Sequence, residues 1–157
     1  MDKNELLKNY LKGYDTIADA IKDSSDEMLY YKPASDKWSA VEVIIHLADS
    51  ECNANVRFRK AIAESGSKVD VYDHNAWAKY LDYQNSDTVI ALALFKLLRL
   101  SNYNVLSSLP EETWNNFVLH PDYGKITLLD ILRIYTEHVG THVRQIKRNF
   151  ESFNSQT

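Results

Sequence analysis

An all-α four-helix bundle is the fold this sequence predicts, with a long crossover between the second and third helices. Three observations point there. Apolar residues recur at spacings of three and four in four separate stretches. Only 4 Gly and 3 Pro stand in 157 residues, too few breaks for a many-turned β fold. Hydrophobic residues at 45% against 25% charged are the balance of a globular chain. A chain of this length buries roughly 70% of its unfolded surface, so one domain over residues 1–157 is expected.

Leu6, Leu7, Tyr10, Leu11, Tyr14, Ile17, Ala18 and Ile21 predict a first amphipathic helix, which fades at Asp23-Ser24-Ser25. A loop with Tyr30, Tyr31, Pro33 and Trp38 follows. Ser39 stands at an N-cap position with Glu42 three residues on, a capping box that opens a second helix over about 40–63. Ser65-Gly66-Ser67 ends it. Residues 67–86 carry Tyr72, Trp77, Tyr80 and Tyr83 and read as a packed excursion with a short helix near 75–81. The third helix, about 87–106, is apolar on most sides and is expected at the centre of the bundle. Pro110 then opens a connector holding Trp114, His120, Pro121 and Gly124, and a fourth helix covers about 127–150.

Lys plus Arg total 18 against 22 for Asp plus Glu, a net charge of −4. With no basic run, the chain is a poor candidate for gripping phosphate backbones, and no nucleic-acid partner is expected. The single cysteine, Cys52, excludes an internal disulfide and any CxxC motif. It falls with Val41, Ile45, Ala48 and Val56 and reads as a core residue. The N-terminal MDKNELLKNYLKGYD is charged throughout and has no signal-peptide core. The longest apolar run, 89–100, is broken by Lys96 and Arg99, so no membrane span is expected and the chain reads as soluble and cytoplasmic.

Five histidines are the chemically informative residues: His46, His74, His120, His138 and His142. His138 and His142 stand four apart on the fourth helix, neighbours on the face that carries Ile131, Tyr135, Val139 and Ile146. That spacing lets two imidazoles bind one metal ion; two rings that merely hydrogen-bond to neighbours fit it as well. A stable centre wants a third protein ligand. His46 is the natural candidate, but its helical sector holds Glu42, Asp49, Ser50, Asn53 and Arg57, equally readable as solvent surface or as the wall of a cleft. His74 and His120 lie in connectors and read as solvated. The HExxH of zincins, the ExxH pairs of di-iron bundles, GxGxxG, Walker loops and GxSxG are all missing.

At these residues the sequence resembles the DinB family, the DinB/YfiT-like metalloenzymes. One matching stretch runs Trp38-Ser39-Ala40-Val41-Glu42 through His46 to Asp49, similar to that family's W-S-x-x-[EQ]-x-x-x-H-x-x-[DE] helix start. The other is Gly124-Lys125-Ile126-Thr127-Leu128, followed by His138, His142, Gln145 and Ile146, similar to G-x-x-[ST]-[LV] and H-x-x-x-H-x-x-Q-I. The resemblance implies a four-helix bundle of this type with His46, His138 and His142 as ligands of a divalent metal, zinc or nickel, at a site open to solvent. It also implies a small-molecule substrate, a low-molecular-weight thiol among the family's cases, and a homodimer paired through helix faces. Asp49, one turn beyond His46, is the candidate catalytic carboxylate, as an orienter of a ligand or a proton acceptor. Tyr135 and Gln145 flank the histidine pair and stand within reach of a ligand; packing and a surface amide are their plainer roles.

Two functional classes follow. One is a metal-dependent enzyme, a hydrolase or a low-molecular-weight-thiol transferase. The other is a non-catalytic helical module that binds metal or ligand, for instance in a stress response. A bundle that dimerises without metal is a third reading, resting only on the aromatic-rich connectors.

Overall fold

In the computed structural model, which describes residues 1–156, four long helical stretches form the expected bundle. The first comes in two pieces, α1 (Lys3–Leu11) and α2 (Gly13–Ile21), where the spacing predicts one helix. A side chain from another helix causes the break: Arg99 Nη1 donates to the Tyr10 carbonyl at 2.7 Å, taking an acceptor from the helical ladder. Gly13 leaves room for that guanidinium, since a Cβ there would lie 2.2 Å from Arg99 Nη1. A short helix, α3 (Asp26–Tyr30), sits in the loop that follows, capped by Ser25.

The second bundle helix is α4 (Ala40–Ala63), and the Ser39–Glu42 capping box forms as the sequence predicts. The crossover holds α5 (His74–Tyr80), capped by Asp73, and a 3-10 turn at Tyr83–Asn85. The third bundle helix is α6 (Thr88–Leu106), with the Asp87 carboxylate accepting from two first-turn amides. The fourth is α7 (Leu128–Asn154), opened by a capping box between Thr127 and Asp130. α4 packs against α6 and α7, and α7 packs in turn against α1 and α2.

One element is an addition to the predicted helices. The connector before α7 contains an antiparallel hairpin, β1 (Phe117–His120) with β2 (Gly124–Thr127), with Val118 opposite Ile126. Those two residues point into the core while Leu119 and Lys125 face outward, the alternation of a half-buried sheet. The crossover joins this hairpin: Leu119 donates to the Ser67 carbonyl and Val69 to the Leu119 carbonyl. That pairing brings the segment carrying His74 and the strand ending in His120 to one side of the bundle.

Two apolar clusters fill the interior, one around Tyr10, Phe58, Trp114 and Leu128, the other around Ile17, Ile44, Phe95 and Ile146. Alongside them lies a buried polar network. Arg99 and Glu51, each 1% exposed, pair at 2.9 Å; the Tyr10 hydroxyl donates to Glu51, and Asn102 donates to the Tyr10 hydroxyl. Arg99 Nη2 also donates to the Tyr135 carbonyl at 2.6 Å, tying α6 to α7.

Two expectations are corrected. α6 is not central. Val89, Ile90 and Leu97 are 75%, 67% and 64% exposed, and Leu94 and Leu100 also face outward. The helix is long and apolar enough by composition to pass for a membrane span, yet its Arg99 and Asn102 are built into the bundle interior. Cys52 is half-buried, not core, because the apolar face of α4 is buried at Val41, Ile45 and Ala48 but emerges toward solvent by Val56.

Candidate metal centre

His46 stands two turns into α4, within the stretch the capping box starts, and it is 2% exposed. His138 and His142 stand on consecutive turns of α7, which crosses α4 at this level. The three rings converge: His46 Nε2 lies 3.2 Å from His138 Nε2, and His142 Nε2 lies 3.0 Å from it. One ligand atom from each residue falls within 4.8 Å of the others. The polar sector of α4 is therefore an inner wall, with Glu42 and Ser50 buried beside His46.

Burial and the neighbouring histidines hold the His46 ring neutral, its pKa lowered to about 2, and burial likewise holds His138 at about 3. Burial also lowers His142, against the raising effect of its hydrogen bond to Gln145. Each neutral ring carries one proton. His142 Nδ1 spends its proton on Gln145 Oε1 at 2.9 Å, so its Nε2 presents a lone pair to His138. A single N–H on His138 cannot lie along both contacts, and among the described residues the buried His46 Nδ1 has no hydrogen-bond partner. A cation amid the three Nε2 atoms satisfies all three lone pairs. The 3.2 and 3.0 Å spacings about His138 suit it, since donors about 2.05 Å from a tetrahedral ion stand roughly 3.3 Å apart, while the set as a whole spreads to 4.8 Å and would draw together around an ion. The residues present thus fit a divalent metal of the zinc or nickel type, with Gln145 fixing the tautomer of one ring.

Asp49 takes a different partner from the one its position suggests. Its carboxylate accepts from the hydroxyl of Tyr83, a buried residue of the crossover, and none of its hydrogen bonds reaches a histidine. Tyr135 is buried one turn before His138, and its hydroxyl accepts from Arg57 Nη1 at 3.1 Å. Burial pushes that phenol up to about 12, so it stays protonated.

The crossover and hairpin supply two further histidines: His74 is exposed, as the sequence reading has it, but reaches the site, whereas His120 is buried and not solvated. The His74 ring lies 5.0 Å from that of His46 and stacks on Tyr72 at 4.3 Å, and Trp38 covers another side of His46 at 5.0 Å. His120 is buried at the end of β1, its Nδ1 accepting from the Asp122 amide. His74, His120 and His138 line an open cleft of about 460 Å³, whose walls include Ser50, Arg57, Tyr72, Tyr123 and Tyr135. No local signal marked His74 or His120, because tertiary pairing of crossover with hairpin brings them here. Arg57 was visible as a member of the polar sector but carried no role.

Comparisons with known proteins agree with this geometry. The family model described as the DinB superfamily matches residues 10–146. A candidate metal-dependent hydrolase of Oceanobacillus iheyensis is 31% identical over 130 residues, covering 83% of this chain and 75% of that one. The candidate metal-dependent hydrolase YfiT of Bacillus subtilis is 28% identical over 131 residues, covering 83% and 74%. Among solved structures, YfiT of B. subtilis, described as having an unusual four-helix-bundle topology, superposes with a TM-score of 0.90 at 24% identity over 98% of this chain and 90% of that one. A mycothiol-dependent maleylpyruvate isomerase shares the fold at a TM-score of 0.71 and 13% identity, over 93% of this chain and 61% of that one.

Proposed function

The chain belongs to the DinB superfamily, and from that premise we propose that it is a metal-dependent enzyme acting on a small molecule, with His46, His138 and His142 holding a divalent ion, zinc or nickel. The observation that carries the reading is the convergence of three imidazoles held neutral, His46 buried and His138 and His142 half-buried, with His138 in the wall of an open cleft. Three protein ligands leave coordination positions for a reactant, the arrangement of a catalytic centre and not of a closed structural one. When bound, such an ion supplies Lewis-acid chemistry, lowering the pKa of a water or thiol it holds toward neutrality.

The chain's own residues do the rest. Gln145 holds the His142 ring in the tautomer that presents Nε2. Tyr135 and Tyr72 offer protonated phenols along the cleft, and Trp38 and His74 shield His46 from bulk water. Asp49, engaged by Tyr83, is assigned to holding the crossover in place and not to proton transfer. Among the described residues no carboxylate hydrogen-bonds to the three rings, and Asp122 is the carboxylate that lines the cleft. Transfer of a low-molecular-weight thiol is the first reading, since a bound ion would itself lower the pKa of a thiol it holds. Hydrolysis is the second reading, supported by the names of the curated relatives. A cytoplasmic setting suits thiol chemistry, and the outward apolar row on α6 suits a homodimer.

The test is metal content by plasma mass spectrometry on tag-free protein, wild type beside His142→Ala. Near one ion per chain in the wild type and a loss in the variant are expected. Transfer of a thiol to an electrophilic acceptor should then depend on the ion. Neither protein holding metal after reconstitution with zinc or nickel would overturn the enzyme reading and leave a binding module.

A further inference from the structure

Resting on that reading of the site, we propose that Arg57 is the specificity-determining residue of the cleft, pairing with a carboxylate carried by the substrate some distance from its reacting atom.

Arg57 lines the same cleft as His138 but is uncommitted in charge. Its Nη1 donates to the Tyr135 hydroxyl at 3.1 Å and its Nη2 to the Asp70 carbonyl at 2.8 Å, both neutral acceptors. Among the described residues it forms no ion pair, whereas buried Arg99 has its carboxylate in Glu51. A guanidinium has five N–H donors in a fixed fork, so three remain for a ligand. The two existing bonds anchor that fork from opposite walls, Tyr135 on α7 and Asp70 on the crossover, so little ordering is left for binding to impose.

The surroundings define the anion. Among the side chains that line the cleft, Arg57 is the one lysine or arginine and so the lone fixed positive charge on these walls. Asp122 at the rim carries the opposite sign. One guanidinium balances one charge, which matches a planar monoanionic carboxylate better than a phosphate dianion.

Spacing sets the length of the ligand. The Arg57 guanidinium bonds the Tyr135 hydroxyl at 3.1 Å, and the Tyr135 ring stands 6.3 Å from the His138 ring, a gap that a short carbon chain spans. The carboxylate therefore sits several bonds away from the atom that reacts beside the histidines.

The experiment titrates zinc-loaded protein with 3-mercaptopropionate and with its neutral amide by calorimetry, in the wild type, Arg57→Gln and Arg57→Lys. The acid should bind at least about tenfold tighter than the amide in the wild type, the scale of one charge-assisted hydrogen bond. Arg57→Gln should bring the acid down to the amide's affinity, and Arg57→Lys should keep part of the preference. Equal binding of acid and amide by the wild type, or a preference that survives in Arg57→Gln, would overturn the proposal. A second readout separates it from the metal reading: the Arg57 Nε–H resonance of metal-free wild type should shift with the acid and not with the amide. A shift in protein that takes up no metal would sink the metal reading and keep Arg57. No shift would sink Arg57 whatever the metal result, and it decides the question where Arg57→Gln does not fold. Stronger competition by inorganic phosphate than by acetate would overturn the choice of carboxylate.

Discussion

Replacing Arg99 by Met tests whether the buried polar network holds the bundle together. Arg99 and Glu51 are both 1% exposed and 2.9 Å apart, so neither charge has water to fall back on. Arg99→Met leaves the Glu51 carboxylate buried with the Tyr10 hydroxyl and Asn102 as its remaining partners. Removing one member of a buried pair in this way costs about 3–5 kcal/mol. At roughly 3 °C per kcal/mol for a chain of this size, the melting temperature should fall by about 9–15 °C. Glu51→Gln made in the same background removes the stranded charge while keeping an acceptor for Tyr10 and Asn102, and should restore at least half of the loss. Urea unfolding followed by circular dichroism is the assay, run with chelator so that metal binding does not contribute. A loss below about 1 kcal/mol for Arg99→Met, or a double variant no more stable than the single one, would refute the reasoning.

Acid should destabilise the metal-free protein, because the His46 and His138 rings titrate at about 2 and about 3 when folded against about 6.5 when unfolded. The unfolded chain takes up protons first as pH falls through 6.5. Stability is therefore full above that value and drops by about 3 kcal/mol for the two rings by pH 5.5. Urea midpoints at pH 7.5 and 5.5 should draw together in His46→Gln/His138→Gln, and an unchanged gap would contradict this. Gln145→Leu frees the His142 ring and should weaken zinc binding about tenfold by competition with a chelating dye; undiminished affinity would remove Gln145 from the site. Gly13→Ala pushes a methyl against Arg99 Nη1 and should cost about 1–3 kcal/mol in the same unfolding assay, unless Arg99 yields without loss. Leu97→Lys should turn a dimer into a monomer by light scattering with little change in melting; a wild type that is already monomeric at about 100 µM ends the case for pairing through α6.

Helix boundaries were the most legible part of the sequence because caps are local. Ser39 with Glu42 marked the start of α4, and the structure places its first residue directly after the cap. The break at Gly13 and the hairpin at 117–127 were not legible, since each depends on a distant partner: Arg99 for the first, and residues 66–69 of the crossover for the second. His138 and His142 could be paired from their spacing, which is a property of one helix. His46 could not be joined to them by periodicity alone and needed the resemblance of the whole ordered set of motifs.

The same cause explains why the polar sector of α4 read as surface and α6 as a central helix. Hydrophobic periodicity assumes that the polar face of a helix meets water and the apolar face meets the core. In α4 the polar sector, from Glu42 through His46 and Ser50 to Arg57, faces a cleft inside the fold, where the groups find partners in place of solvent. In α6 the inward face carries Arg99 and Asn102, which complete the Glu51 network, and the apolar residues left over face outward. Both arise because this bundle buries polar chemistry at its centre, a histidine cluster on one level and an ion-pair network on another. A helix wheel sees only amphipathicity, so it assigns such faces to solvent. A polar sector that contains a histidine and an arginine eleven residues apart, on a helix opened by a strong cap, is therefore better weighed as a buried wall whenever another helix carries a histidine pair.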